Sequence, residues 1–246
     1  MRVLTIVHER DAGPGVFSDV LVAAGADVDS WLMGEQPDPP AAAAGYDAIM
    51  TFGGSAHPHQ ENLYPWLVAE KRFLAQALGA QVPLLGICLG SELIAEADGS
   101  LAEKLPHPEI GWYEVELSAE GARDPLLGPI GRSFPALEWH SYAVPLPAGA
   151  TALARTAGCL QAYRLGTSAW GLQFHAEVTA ADFQHWLDNY TSDADAVAEG
   201  IDPVALARQS AGLLDAWHEL GRGICERFLR VARELRSGEQ RVRAAL

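Results

Sequence analysis

The chain has 246 residues, 32 of them acidic and 17 basic, for a formal charge of −15. A phosphate backbone would be repelled by that surface, which argues against direct binding of nucleic acid. Hydrophobic residues make up 49%, enough to bury a real core, and the length fits one domain or one domain with an appendage. Three cysteines without framework spacing suit a reducing compartment. No apolar run approaches the roughly 18 residues that cross a bilayer, and "MRVLTIVHER" at the amino terminus has no long apolar h-region. The expectation is a soluble cytoplasmic protein with no nucleic-acid or membrane partner.

The first half alternates two periodicities. "RVLTIVHE" (2–9) is a compact β-rich run, and "GVFSDVLVAAG" (15–25) reads as a helix ending at Gly25. "ADVDSWLM" (26–33) alternates as a strand does, and "YDAIMTFGG" (46–54) is a buried strand stopped by two glycines. From Tyr64 to Leu78 the apolar residues recur at helical spacing, with Trp66, Ala69, Phe73 and Ala77 on one stripe. "VPLLGIC" (82–88) is another short strand, and "LGSELIAEADG" (89–99) a helix closed by Gly99. This β-α-β-α order predicts an α/β fold, a doubly wound and mostly parallel sheet flanked by helices.

The middle of the chain breaks into short strands, "GWYEVELS" (111–118), "LEWHSYAVPL" (137–146), "TALART" (151–156) and "CLQAYRLG" (159–166), separated by turns. These predict antiparallel ribbons attached to the same sheet. "AWGLQFHAEV" (169–178) is the last strong strand. The expected division is a main domain over 1–190 and a C-terminal helical extension over 191–246. Asp202-Pro203 makes a good helix start. Leu213, Trp217, Leu220, Ile224, Phe228 and Val231 form an apolar stripe that must pack on the domain or on a partner.

One stretch asks for a chemical explanation. Gly86-Ile87-Cys88-Leu89-Gly90 lies between a predicted strand and a predicted helix and has the spacing of a nucleophile elbow. Glycines two residues either side of a nucleophile let neighbouring backbone come close. The helix N-terminus that follows favours a thiolate, and the next N–H can serve an oxyanion. Such a cysteine needs a base, and the base an orienting group. Two His/acid pairs at i, i+2 spacing are available, Glu138 with His140 and His175 with Glu177. In a strand each pair would share a face, so the residues alone leave both open. His57 and His59 have no third ligand at suitable spacing, so they read as a solvated loop and no metal is expected.

"GICLGSELIA", "FGGS" after a strand, "EIGWYEV", "EWHSYAV", "LPAGATALA" and "GLQFHAEV" occur together in this order, and the chain over roughly 1–190 resembles the class I glutamine amidotransferases. The resemblance is closest to stand-alone relatives of the amidotransferase domain of GMP synthetase. It implies a flavodoxin-like sheet and a Cys-His-Glu triad, Cys88, His175 and Glu177. It implies an oxyanion hole from the N–H of Leu89 and the Gly53-Gly54 turn, most plainly Gly54. It further implies that His140, Ser141 and Tyr142 lie at the substrate site. The implied activity is cleavage of a γ-glutamyl amide bond through a cysteine thioester, with glutamine or another γ-glutamyl compound as the small-molecule substrate and no cofactor.

Three positions depart from that pattern. Glu92 stands where the family carries a substrate-binding glutamine, Ala176 where it carries proline, and Tyr142 where close relatives often carry aspartate. Glu92 matters most, because an ionised carboxylate near the thiol opposes its ionisation and can only accept hydrogen bonds. The alternative that follows is an amidotransferase-like binding or regulatory protein weakened or silenced by Glu92. No P-loop or pyrophosphatase loop is present, and Gly53-Gly54-Ser55 does not fit a phosphate cradle. Ammonia would therefore pass to a synthetase or acceptor-domain partner, or the chain would act as a simple hydrolase; a homo-oligomer is compatible with either.

Overall fold

The computed structural model describes residues 1–244, with side chains through residue 238; the last two residues of the predicted helical extension lie outside the described residues. The elements run β1 (Arg2–Val7), α1 (Phe17–Ala23), β2 (Asp27–Leu32), β3 (Ala48–Thr51), α2 (Trp66–Gly79), β4 (Leu84–Ile87) and α3 (Leu89–Ala97). Then follow β5 (Glu103–Leu117), β6 (Ser133–Ala143), β7 (Thr151–Arg155), β8 (Leu160–Leu165) and β9 (Ala169–Leu172). Four helices complete the chain: α4 (Ala180–Asn189), α5 (Ala194–Ala198), α6 (Pro203–Ser210) and α7 (Leu214–Ala244).

All nine strands form one sheet in the order β2-β1-β3-β4-β9-β8-β7-β5-β6. The first five are mutually parallel, and the other four extend the sheet as antiparallel neighbours. The start of the order, 2-1-3-4, is that of a flavodoxin-like sheet, in which sites form outside the carboxyl ends of the parallel strands. The fold expected from the sequence is therefore the one adopted.

Strand alternation divides the core into two layers. Val3, Ala48, Met50, Leu85 and Ile87 face one cluster, while Leu4, Ile49 and Leu84 face the other. Phe17, Val20 and Leu21 of α1 cover the first face together with α7. Leu67, Phe73 and Leu74 of α2 and Leu93 and Ile94 of α3 cover the second. The apolar stripe of α7 buries Trp217, Ile224, Phe228 and Val231 on the sheet's first face, and Cys225, Leu229 and Ala232 widen it. Phe228 meets Trp170 of β9 edge to face at 6.2 Å. Full burial of each large apolar side chain contributes about 1.5–3 kcal/mol, so α7 is a major part of this core. Asp202 accepts hydrogen bonds from the N–H groups of Val204 and Ala205, capping α6 with Pro203 in its first turn.

Candidate active site

Four adjacent parallel strands, β1, β3, β4 and β9, end at the same edge of the sheet. Their carboxyl ends deliver His8, the Gly53-Gly54 turn, Cys88 and the loop carrying His175 and Glu177. A cavity of about 440 Å³ opens there, with Gly54, Cys88, Leu89, Glu92, His140 and His175 in its wall.

Cys88 is the residue between β4 and α3. Its backbone sits at φ 50°, ψ −115°, a left-handed conformation that is costly for a residue with a side chain and persists only where the surroundings impose it. They do so by hydrogen bonds: the Cys88 N–H donates to the Leu172 carbonyl at 2.8 Å, and the Gly90 N–H to the Phe52 carbonyl at 3.0 Å. The flanking glycines are required by close approach. A Cβ on Gly86 would lie 2.6 Å from the Gly90 carbonyl carbon, and one on Gly90 would collide with the Thr51 carbonyl. Cys88 is 6% exposed and lines the cavity.

The strand expected to carry His175 and Glu177 ends earlier, at Leu172. Their contact therefore comes from a loop, not from strand alternation. That loop is fixed by its neighbours. The Gln173 N–H donates to the Gln161 carbonyl at 2.8 Å, the His175 N–H to the Leu137 carbonyl at 2.9 Å, and the Val16 N–H to the Glu177 carbonyl at 2.7 Å. Trp217 of α7 reaches in with its indole N–H to the His175 carbonyl at 2.8 Å. With the backbone so held, the imidazole Nδ1 meets the Glu177 carboxylate at 2.9 Å and Nε2 is left for the thiol. Trp186 of α4 packs edge-on against the ring at 4.8 Å. Burial opposes a charge on His175, yet the Glu177 carboxylate and the charge and hydrogen bond of Cys88 outweigh it and hold the imidazole well above its usual range.

Gly53 lies against both partners. A Cβ there would sit 2.9 Å from His175 Cε1 and 3.7 Å from Cys88 Cβ. Its carbonyl is bonded by His8 Nδ1 at 2.9 Å, while His8 Nε2 binds Glu70 at 2.7 Å and Thr51 donates to the same carboxylate at 2.6 Å. In a trans peptide the C=O and the following N–H point opposite ways, so this buried pair turns the Gly54 N–H away from His8. Sequence reasoning missed His8 and Glu70. The signal available was that His8 directly follows β1.

Glu92 lies in the cavity wall with Cys88, but not as a free anion. It is 4% exposed, its Oε1 accepts from the Gln173 amide at 3.0 Å, and burial pushes its carboxyl up to about 7. At neutral pH it is therefore only partly ionised, so the effects expected of an ionised Glu92 apply in part.

The other wall comes from β6 and the helices after β9. Ser141 and Lys104, the latter at 2.9 Å, hold the Asp195 carboxyl below its usual range. Trp139 donates to Asp193 at 2.9 Å. His57, read from sequence as part of a solvated loop, is instead half-buried in the cavity wall; its ring lies tilted against Tyr142 at 4.4 Å, and the exposed His59 lies 5.1 Å from the same ring. An aromatic cluster thus forms around Tyr142. His140 borders the cavity, yet both its nitrogens are turned elsewhere. Nδ1 meets the Tyr142 carbonyl at 2.8 Å, and Nε2 faces Glu109 and Glu138, each at 3.3 Å. Burial opposes its charge, but those carboxylates hold the imidazolium up to about 10.

The fold agrees with what the chain is similar to. The family model for glutamine amidotransferase class-I matches residues 18–193. YfeJ of Salmonella typhimurium, a glutamine amidotransferase-like protein, is 34% identical over 185 residues, 73% of this chain and 77% of the relative. A γ-glutamyl-L-1-hydroxyisopropylamide hydrolase of Pseudomonas sp. is 29% identical over 148 residues, 56% of this chain and 49% of that one. A glutamine amidotransferase from Thermotoga maritima has a crystal structure that matches with a TM-score of 0.82 at 26% identity, over 93% of this chain and 97% of the other. The chain therefore belongs to the class I glutamine amidotransferases.

Proposed function

We propose that this protein hydrolyses a γ-glutamyl amide bond through a thioester on Cys88. The observation that carries the reading is a thiol held at positive φ on a helix N-terminus, beside an imidazole whose far nitrogen is bonded to a buried carboxylate. A thiolate so placed is paired with the imidazolium and aided by the helix dipole. It attacks the side-chain amide carbonyl of the substrate. The oxyanion takes the N–H of Leu89 and of Gly54. His175 then donates its proton to the departing ammonia or amine, the C–N bond breaks and a γ-glutamyl thioester remains. Water enters, His175 removes its proton, and attack on the thioester releases glutamate and restores the thiol. Glu177 fixes the imidazole tautomer and balances its charge throughout.

The γ-glutamyl amide named for the Pseudomonas relative supports an amine as well as ammonia as leaving group. Glu92 and Tyr142 also favour a substrate other than plain glutamine, because both line the cavity and depart from the residues that the resemblance implies for the substrate's amino-acid end. The test is release of ammonia or amine by the purified chain alone from glutamine, γ-glutamyl peptides and γ-glutamyl amines. Turnover of a γ-glutamyl amine above glutamine supports the reading. Ammonia release from glutamine alone points to an ammonia supplier for a partner synthetase. No turnover of any member favours the binding-protein alternative.

A further inference from the structure

A second polar cluster lies buried behind the cavity wall, and the chemistry above does not use its inner face. Glu109 on β5 and His140 on β6 are register partners across the ribbon, and Glu138 lies two residues before His140 on the same face. Cys159 and Gln161, at the start of β8, close the cluster. One ligand atom from each of Glu109, His140 and Cys159 lies within 4.8 Å of the others.

Glu138 and His140 meet there as charges 3.3 Å apart without a closed hydrogen bond. Glu138 is fully buried, and neither of its oxygens nor His140 Nε2 closes a hydrogen bond. No lysine or arginine forms an ion pair with Glu109 or Glu138 among the described residues. His140 spends its other nitrogen on a backbone carbonyl, the arrangement that fixes Nε2 as the coordinating nitrogen in metal-bound histidines. Glu109 is itself held from outside by Thr156, which donates to its other oxygen at 2.7 Å, as ligating carboxylates are; the Gln161 amide donates to the inner oxygen at 2.7 Å and lies 3.2 Å from the Cys159 sulfur, so it turns aside when a metal enters. The spacing fits as well. Ligands at tetrahedral zinc distances lie roughly 3.3–3.6 Å from one another. Here Nε2 is 3.3 Å from each carboxylate oxygen, and the Cys159 sulfur is 3.5 Å from Glu109.

We propose that Glu109, His140 and Cys159 form a binding site for one zinc-type divalent cation, set behind the wall of the active-site cavity, with Glu138, 3.3 Å from His140 Nε2, adding its charge beside it. The mixed nitrogen, oxygen and sulfur donor set suits zinc rather than magnesium or calcium. Binding releases two protons to solvent, one from Cys159 as the metal–sulfur bond forms and one from the His140 imidazolium as Nε2 takes the metal, and the cation offsets the buried carboxylates. Because His140 and Tyr142 share the cavity wall, the ion would brace that wall against the β5–β6 ribbon.

The full chain carrying Cys88→Ala, which keeps the cavity thiol from competing, is loaded with Zn²⁺ or Co²⁺ and dialysed against metal-free buffer. The expected result is one retained equivalent and, with Co²⁺, a thiolate-to-metal charge-transfer band. Adding Cys159→Ser should remove that band. Glu138→Gln, nearly isosteric and read separately, should weaken Co²⁺ affinity tenfold or more. No retained metal, which is the outcome if a proton alone occupies His140 Nε2, overturns the proposal. So does a band that survives Cys159→Ser, or unchanged affinity in Glu138→Gln.

Discussion

The chain contains the same local pattern twice, a histidine and a glutamate two residues apart, and folds them to different ends. His140 and Glu138 stay within β6, an antiparallel strand, and alternation does put them on one face. His175 and Glu177 lie beyond the end of β9, in a loop pinned by Leu137, Gln161, Val16 and Trp217. The first pair therefore looks inward, toward a second carboxylate. The second stands at the carboxyl edge of the parallel strands, where Cys88 also emerges. Spacing alone cannot assign a base to a nucleophile; the assignment depends on which strand end carries the pair.

The largest expected effect separates the two histidines. His175→Ala should lower kcat on the best γ-glutamyl substrate about 10³-fold, the scale of a lost general acid–base. His140→Ala should lower kcat less than tenfold and act mainly through KM, and steady-state kinetics on both variants decides it. Reversed effects would assign the base to the wrong pair. Next in size is Gly53→Ala. Its methyl group wedges between His175 and Cys88, and a displacement of this kind costs roughly 10²-fold in kcat. An unchanged kcat would show that the two side chains do not work at the separation seen here.

Glu92 sharpens the contrast at intermediate size, because it is a buried acid in the cavity without a histidine partner. Glu92→Gln should raise glutamine turnover about tenfold at pH 8, equivalent to about one pKa unit at the thiol. The gain should shrink below pH 7, where the native carboxyl takes a proton. Stability carries the same signature. A carboxyl raised from 4.5 to about 7 in the folded state costs nothing below pH 4.5 and costs progressively more as pH rises to 7, after which the penalty is constant. The melting advantage of Glu92→Gln should grow over that window, toward an upper bound of about 3 kcal/mol. A flat advantage from pH 4 to 8 would show that the carboxyl titrates normally. The smallest effect belongs to Trp217→Phe, which strips the hydrogen bond from the His175 carbonyl. A loss of about 1–3 kcal/mol in stability with a few-fold fall in kcat is expected, read by denaturation and kinetics together.

Much of this was legible in the residues. The elbow was readable because its glycines answer a steric demand visible in spacing, and the inner parallel strands because they are apolar runs bounded by turns, whereas the edge strand β2 showed itself by alternation. His8 and Glu70 were not, since 62 residues separate them and neither sits in a pattern. The His57 contact was hidden for the same reason: its partner Tyr142 lies on a distant strand. Glu92 was recognised as a departure, but its charge state depends on burial and on Gln173, which no local spacing reveals. The His175–Glu177 contact was expected for a strand reason and arises from a loop, because β9 stops at Leu172 where the cavity begins.

The central claim is a γ-glutamyl thioester on Cys88. It is tested most directly by acid-quenching the full chain during turnover of its best γ-glutamyl amide and mapping the adduct by mass spectrometry. The account predicts one γ-glutamyl group on the peptide containing Cys88, accumulating further when His175 is replaced by a residue that slows deacylation more than acylation, and absent in Cys88→Ala. Turnover without any adduct on Cys88, or an adduct on Cys159 or Cys225 instead, would contradict it.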